Sequence, residues 1–302
     1  MTLAAPDVRR LATLGISRAG EGTGGRRLQS LRRHPRLAIG GVLVAALVLI
    51  AVFGPLLTRY DPIVGDVSDG LQAPGAAHWL GTDDQGRDMM ARVLYGARLS
   101  LSVAMIAVSI GLVVGVSTGL VAGYAGGVVD LMLMRVIDAL LAFPGLLLAI
   151  SITAALGPQI QNAMIAIGVV SIPVYARLTR GQVLALRERE FITAARALGL
   201  APQRIALLHV LPNIANALIV QATLTTAFAI LQEAVLSFLG LGAQPPVPSW
   251  GQDISYNERY ITNLMWWGSV APGLAIFVAV FAFNFLGDAL RDWLDPQFRR
   301  RA

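Results

Sequence analysis

The sequence contains no cysteine and no lysine, and only 14% of its 302 residues are charged. Without cysteine, the chain forms no disulfide, no thiolate metal site and no cysteine nucleophile. A P-loop needs a lysine to reach the β- and γ-phosphates of a nucleotide, so a standard ATP-binding loop is excluded. The motifs H-E-x-x-H and G-x-S-x-G are also missing. We therefore expect no catalytic residue, no metal site and no cofactor in this chain.

Apolar residues, by contrast, make up 55% of the chain. A soluble globular protein is about 45–50% apolar and about 25% charged, so this composition indicates a membrane protein. The net charge is +6, and the basic residues, which are all arginines or histidines, flank the apolar runs. Because they do not form one basic face, they favour orientation in a lipid bilayer over the binding of nucleic acid.

Six apolar runs are each close to the ~20 residues that cross a hydrocarbon core as a helix. Spans of this kind are helical, because backbone groups without hydrogen bonds are unfavourable in lipid. The runs are Leu37–Leu57, Leu99–Ala122, Leu131–Ala155, Ala163–Leu178, Ile205–Leu231 and Trp266–Leu286. The fourth is the weakest, since it is short and contains Pro173. We predict an all-α membrane protein with six transmembrane helices.

Arginine is concentrated in three polar segments: residues 1–36, the segment between the fourth and fifth runs, and residues 291–302. Cytoplasmic loops carry the excess of arginine, so this distribution places both termini in the cytoplasm. Residues 1–36 are interpreted as a flexible tail. The alternative is that Arg26–Arg36 forms a short helix on anionic lipid.

Residues 58–98 form a long, acidic loop, which this orientation places on the extracytoplasmic side. Its last part belongs to an amphipathic stretch, Arg87–Leu101. The apolar residues that can share one helical face there are Met89, Met90, Val93, Leu94 and Leu101. We predict a helix that lies on the outer surface of the membrane.

Small residues recur at every fourth position of the second run, at Gly111, Gly115, Gly119 and Gly123. Such a stripe lets two membrane helices approach backbone to backbone. We interpret it as packing within this chain. Contact with a second transmembrane subunit is the alternative.

Three ionisable residues lie in or near the apolar runs. Arg135 and Asp138 are three residues apart on one helix face, which predicts a local ion pair. Glu233 lies beside Gln232 in the fifth helix, where a carboxylate is unfavourable unless it is paired or faces water. Two interpretations of Glu233 and Gln232 stay open: a structural, hydrogen-bonded role, and a position on a translocation path.

The most specific segment, residues 181–204, lies between the fourth and fifth runs. Gly199 can supply a left-handed helix cap, and Pro202 suits the first turn of the helix that follows. The candidate docking residues are Glu190, Ala194, Ala195, Arg196, Gly199 and Arg204. The alanines fit a partner's cleft, and the two arginines can bind its carboxylates. The alternative is a connecting loop that happens to be rich in alanine.

This segment resembles the EAA loop of ABC importer permeases, which has E-A-A-x-x-x-G and then a hydrophobic stretch ending in L-P. The residues that match in spacing are Ala194, Ala195, Gly199, Leu211 and Pro212. Thr193 stands where the motif has glutamate, and Glu190 is the nearest acid before it. The resemblance implies that the loop forms coupling helices that dock on a nucleotide-binding subunit.

Further segments resemble dipeptide, oligopeptide and nickel permeases of the DppC/OppC type. They are HWLGTDDQGRD (78–88), LYGARLS (94–100), EAVLSFLGLG (233–242), PSWG (248–251) and NFLGDALRDWLDP (284–296). The resemblance implies the type I importer fold with MetI-like architecture, and a permease core over residues 99–290, in a bacterial or archaeal inner membrane. The implied partners are a homologous permease subunit, two ATPase subunits or a fused one that bind ATP and Mg, and an extracytoplasmic peptide-binding protein.

Two other classes of function agree with fewer features of the sequence. An ion-driven secondary transporter often has internal repeats, whereas this sequence has no convincing repeat and a single deep carboxylate, Glu233. An intramembrane enzyme needs metal or nucleophile motifs that the sequence lacks. The cargo stays open, because peptides, nickel chelates, glutathione and other small solutes all fit the resemblance.

Overall fold

The computed structural model describes residues 35–263 and 265–294. Over these ranges the chain is mostly helical. The β-type pairing in the described residues is a single isolated antiparallel bridge between Thr82 and Asp88. The predicted N-terminal tail, apart from its last two residues, lies outside the described ranges. The same is true of the C-terminal tail beyond residue 294.

Ten α-helices follow one another along the described chain. They are α1 (Pro35–Leu57), α2 (Met89–Ala125), α3 (Gly127–Leu141), α4 (Gly145–Leu156), α5 (Ile160–Leu186), α6 (Glu190–Ala197), α7 (Pro202–Ile205), α8 (Leu211–Phe238), α9 (Trp250–Asn257) and α10 (Trp267–Leu294). Five membrane-crossing candidates are α1, α2, α5, the unit from α7 to α8, and α10, and α3 with α4 form a bent sixth. The predicted all-α fold with six spans is confirmed, with the third span in two pieces.

α2 occupies the centre of the bundle and contacts α1, α5, α8 and α10. Its buried residues run along almost its whole length, from Met89 to Ala122. α1 packs against α10 through Gly40, where an added Cβ would lie 2.9 Å from the Cα of Leu286. Large apolar side chains stay exposed on both of these outer helices, as expected for a bundle surrounded by lipid.

The surface helix expected over Arg87–Leu101 is not formed as a separate element, because this segment is the first part of α2. Asp88 caps the start of α2 by accepting a hydrogen bond from the N–H of Ala91 at 2.7 Å. This part of α2 packs against α9 and α1: an added Cβ at Gly96 would lie 2.6 Å from the Trp250 ring, and one at Gly54 of α1 would lie 3.2 Å from the Cβ of Leu94. The amphipathic pattern therefore marks a core-facing helix, since its apolar side finds a partner within the chain.

α5 extends to Leu186, well beyond the end predicted at Leu178. Polar residues at its end do not stop the helix, because helix formation depends on backbone hydrogen bonds and arginine is a good helix former. Pro173 lies inside α5 and is buried. Residues 181–186, expected to belong to the coupling segment, are the last turns of this helix.

The third apolar run, expected to be one helix over Leu131–Ala155, is broken into α3 and α4, which meet at 89°. Pro144 stands at the break, directly before the first residue of α4. Proline disfavours helical geometry in the residue before it and lacks the N–H that would continue a helix. The break gives this span a second helix start inside the apolar region.

The glycine stripe of α2 faces α5 within the same chain. An added Cβ at Gly115 would lie 2.6 Å from the carbonyl oxygen of Ile172. The other three glycines, Gly111, Gly119 and Gly123, similarly meet Ser171, Ala176 and Val183 at 2.5–2.8 Å. Because no side chain fits between the helices, these glycines set the distance between α2 and α5.

We expect Gly115→Ala to destabilise the protein by about 1–3 kcal/mol, because the added methyl forces α2 and α5 apart. Gly181→Ala on α5 is the matched control, since nothing lies within 4 Å of a Cβ added there. This control should be neutral or slightly stabilising, as alanine is the better helix former. Thermal unfolding in detergent measures both variants. Equal midpoints would contradict the packing role of the stripe.

Candidate functional site

The segment between α5 and α8 forms the predicted helix, turn and helix, which we call the elbow (Glu190–Ile205). α6 ends with the N–H of Leu200 donating to the carbonyl of Ala195 at 3.2 Å. The N–H of Gly199 donates to the carbonyl of Arg196 at 2.9 Å, which completes a Schellman motif. Gly199 has φ +75°, a left-handed conformation that residues with a Cβ rarely adopt.

One side of the elbow is buried and the other is open. Ile192 and Ile205 are fully buried in the core, whereas Leu198 at the tip is 80% exposed. Nothing lies within 4 Å of a Cβ added at Gly199. Of the candidate docking residues, Ala195 is buried, and the exposed ones are Glu190, Ala194, Arg196, Gly199 and Arg204. The elbow therefore combines a free tip with a firm anchorage in the bundle.

Arg196 holds the elbow against the end of α2. Its guanidinium carbon lies 5.5 Å from the centre of the Tyr124 ring, within the range of a cation–π contact. Beside it, Nη1 of Arg187 donates to the carbonyl of Gly123 at 3.3 Å. Arg196 thus has a contact within its own chain, whereas the sequence suggested only a carboxylate of a partner.

The elbow continues into α8 through one turn of π-helix, Ala206–Val210. Pro212 follows, and its missing N–H removes a backbone bond at this place. The side-chain amide of Asn213 instead donates to the carbonyl of His209 at 2.6 Å. Such wide turns are rare and often occur at functional sites. α7, this turn and α8 form one continuous helical unit over Pro202–Phe238.

Two ion pairs join α3 to α5. Arg180 binds both carboxylate oxygens of Asp130, each at 2.6 Å, and Arg177 donates to Asp138 at 2.7 Å. The local pair predicted between Arg135 and Asp138 is therefore wrong, because Asp138 pairs with an arginine of the neighbouring helix. These pairs tie the first half of the broken span to α5.

Glu233 is fully buried where α2, α8 and the start of α9 meet. Its carboxylate accepts hydrogen bonds from Ser100 at 2.7 Å, Ser237 at 2.8 Å and Ser249 at 3.1 Å. Three donors satisfy most of the acceptor capacity of this side chain. Of the two roles left open by the sequence, this geometry supports the structural one for Glu233.

Gln232, the neighbouring residue, lies beside the break between α3 and α4. It is 3% exposed, and neither polar atom of its side chain has a hydrogen-bond partner among the described residues. Its Nε2 lies 3.8 Å from a Cβ added at Gly145, the first residue of α4. A buried amide without partners is unfavourable by about 1–3 kcal/mol. The amide of Gln232 therefore has two donors and one acceptor left for a further partner.

At the other end of α2, residues 58–88 and α9 form a second feature, which we call the cap. Arg92 of α2 is buried against the cap: its Nε donates to Asp253 at 2.7 Å, and its Nη1 donates to the carbonyl of Pro62 at 2.7 Å. The indole of Trp267 also donates to the carbonyl of Thr82 at 3.0 Å. The cap therefore joins α2, α9 and α10 through buried polar contacts.

Burial raises the pKa of Asp253 to about 6, although the charge of Arg92 favours the ionised carboxylate and limits the rise. At neutral pH the pair is therefore ionised. Sequence reasoning missed this pair, since the two residues are 161 positions apart. Arg92 lies three residues after Met89 in an amphipathic stretch, next to its apolar face, and this position was the available signal.

The sequence matches two protein-family models, and the fold matches a solved ABC transporter. Residues 115–300 match the family described as binding-protein-dependent transport system inner membrane component. Residues 25–74 match the N-terminal TM domain of oligopeptide transport permease C. The MetNI methionine ABC transporter in an inward-facing conformation has the same fold, with a TM-score of 0.53 and 21% identity over 67% of this chain and 97% of that chain.

Relatives with known names cover almost the whole chain. The dipeptide transport system permease protein DppC of Alkalihalophilus pseudofirmus is 46% identical over 90% of this chain and 89% of its own. The glutathione transport system permease protein GsiD of Salmonella paratyphi A is 45% identical over 89% of this chain and 88% of its own. The probable D,D-dipeptide transport system permease protein DdpC of Escherichia coli is 39% identical over 88% of this chain and 89% of its own.

The fold and these matches define a polytopic helical permease subunit of an ABC transporter. The chain belongs to the family of binding-protein-dependent transport system inner membrane components. It is a multi-pass protein of the inner membrane, as predicted.

Proposed function

We propose that this chain is one of the two transmembrane halves of an ABC importer for peptides. The names of relatives for dipeptide transport support this cargo. Both termini and the elbow lie in the cytoplasm, and the cap lies outside, in accord with the distribution of arginine. In this orientation the elbow faces ATPase subunits and the cap faces an extracytoplasmic peptide-binding protein.

The observation that carries the proposal is the elbow. Its tip is open at Gly199 and Leu198, while Ile192 and Ile205 anchor it in the core. When ATP-bound partner subunits close, they push this tip, and the π-turn passes the displacement to α8. The chain contains no lysine for a P-loop. ATP and Mg are therefore bound, and ATP is hydrolysed, by separate ATPase subunits or a fused one.

A homologous permease subunit completes the path. α3 directs Asp130 and Asp138 toward α5, while its apolar residues Val128 and Val136 are exposed. An apolar face beside a break in the backbone suits contact with protein better than contact with lipid. The second half therefore packs near α3, and solutes pass between the two halves.

The assembled transporter in proteoliposomes, with the binding protein outside and ATP inside, should accumulate a labelled dipeptide. The purified chain alone should hydrolyse no ATP, because it holds no nucleotide-binding motif. ATPase activity of the isolated chain would contradict the proposed division of labour. Uptake that persists without the ATPase subunits and collapses with the ion gradient would instead indicate a secondary transporter.

Glutathione is a second candidate cargo, favoured by the similarity to GsiD. Glutathione is itself a small peptide with two carboxylates, so both cargoes suit the same path. Mass spectrometry of the solute that co-purifies with the binding protein would distinguish them. Competition by unlabelled glutathione during dipeptide uptake provides the second measurement.

A further inference from the structure

α4 begins inside the bent third span, and the N–H groups of its first turn have no acceptor within the helix. Pro144 precedes the helix, and no side chain caps this end. The helix dipole adds about half a positive charge at such a start. Unsatisfied donors and a partial positive charge together favour an anion.

The break that exposes this helix start cannot face lipid. Phe143 is 61% exposed, and the residues beside it are exposed as well. The break lies near the middle of the apolar unit formed by α3 and α4. Irregular backbone at membrane depth occurs where it is covered by protein or lines a water-filled cavity. The exposed side of the break therefore faces the space between the two permease halves.

Gln232 supplies an observation independent of the helix start. Its side-chain amide is buried, has no partner among the described residues, and lies next to Gly145. A Cβ built at Gly145 would lie 3.8 Å from the Nε2 of Gln232 and 3.0 Å from Cγ1 of Val170, so the amide lies close to the backbone that begins α4. Glu233, the next residue, accepts hydrogen bonds from three serine hydroxyls. It accepts none from the amide of Gln232.

From these features we infer that the start of α4 and Gln232 form a carboxylate-binding point on the solute path. The inference rests on the proposed function and assigns the point to the C-terminal carboxylate of a peptide. The N–H groups of Leu146 and Leu147 and the Nε2 of Gln232 donate hydrogen bonds to it. Starts of broken helices bind anionic groups of solutes in other transporters for the same physical reason.

The test compares Gln232→Met with wild type in the whole transporter in proteoliposomes. Methionine keeps the length of the side chain and removes both donors. The binding protein is loaded with a dipeptide or with the C-terminal amide of the same dipeptide, and initial uptake rates are measured for each. Uptake of the free acid should fall roughly tenfold, as expected when a hydrogen bond to a charged group is lost. Uptake of the amide should change less than twofold.

Gln232→Glu provides a second variant, which places an acid at the same position. It should transport the free acid more slowly than Gln232→Met does, because two carboxylates repel each other. Gln221→Met, on the same helix but bonded to Thr225, is the matched control and should lower both uptake rates by the same factor, if it lowers them at all.

An equal loss for acid and amide in Gln232→Met, or no loss for the acid, would overturn the inference. If wild type does not carry the amide, the order of the three free-acid rates decides: wild type, then Gln232→Met, then Gln232→Glu. Any other order overturns the inference. Failure of wild type to carry any peptide would instead contradict the proposed function.

Discussion

Replacing Gly199 with tryptophan is expected to abolish solute uptake while the protein stays folded in the membrane. The position is exposed, and nothing lies within 4 Å of a Cβ added there, so the new side chain begins in open space. Its φ of +75° makes any side chain unfavourable by about 1–2 kcal/mol. The larger effect arises at the tip of the elbow, where the indole blocks entry into the cleft of an ATPase subunit.

Gly240→Trp is the matched control for this prediction. Gly240 also has φ +75° and open space around it, but it lies at the opposite end of α8. Both variants should therefore lose the same stability, and only Gly199→Trp should lose uptake and co-purification with the ATPase subunits. Unchanged uptake in Gly199→Trp, or equal loss in both variants, would contradict the docking role of the elbow.

Replacing Arg92 with methionine is expected to destabilise the protein by about 3–5 kcal/mol, because it leaves the buried Asp253 without its charged partner. Arg259→Met is the control. Arg259 faces Asp84 at 3.4 Å in an exposed pair, and such pairs contribute about 1 kcal/mol or less. Thermal unfolding of the transporter in detergent measures both. A loss in Arg92→Met no larger than that of the control would contradict the role of the buried pair.

The cost of Arg92→Met should also grow with pH. Without Arg92, the pKa of Asp253 rises above the value of about 6 that it has in the pair. The folded variant then keeps a proton that the unfolded chain releases at lower pH, so its stability falls as pH rises through this range. Between pH 6 and pH 8, the wild type should change less, and the gap between the two should widen. If the difference in stability between wild type and Arg92→Met did not change with pH, the destabilisation would arise from lost packing rather than from the unpaired charge.

The double variant Arg92→Met, Asp253→Leu separates the two contributions further. Apolar residues of similar volume often replace a buried ion pair at little cost. The double variant should therefore recover most of the stability and show no dependence on pH from this site. Together with the single variant, it shows whether the cap needs the charges or only the filled space.

The sequence determined the class of this protein through composition and the length of its apolar runs. Backbone groups without hydrogen bonds are unfavourable in lipid, so runs of this length fold as helices, and one of them breaks at Pro144. The elbow was predictable for a similarly local reason. Gly199 and Pro202 have backbone preferences that act without tertiary contacts, and the structure places a left-handed turn and a helix start there.

Helix ends and charged partners could not be predicted in this way. Arg177 and Arg180 of α5 pair with carboxylates of α3 that lie 39 and 50 positions earlier in the chain. Arg87–Leu101 has the pattern of a surface helix, but it packs against α1 at Leu94 and against α9 at Gly96, and α9 lies far along the chain. Periodicity shows that a helix has an apolar face, and only the packing shows what covers that face.

Gln232 and Glu233 also look alike in the sequence and differ only in what packs around them. The sequence presents them as two adjacent polar residues of one span, with the same two roles open to both. In the fold, Glu233 meets three serines from separate parts of the chain, while Gln232 meets the first residue of α4. Neighbours along a helix point about 100° apart, so tertiary structure gives them different surroundings. Local backbone chemistry thus fixed the helices and the elbow, and the tertiary contacts decided which polar side chains are satisfied and which remain available to a solute.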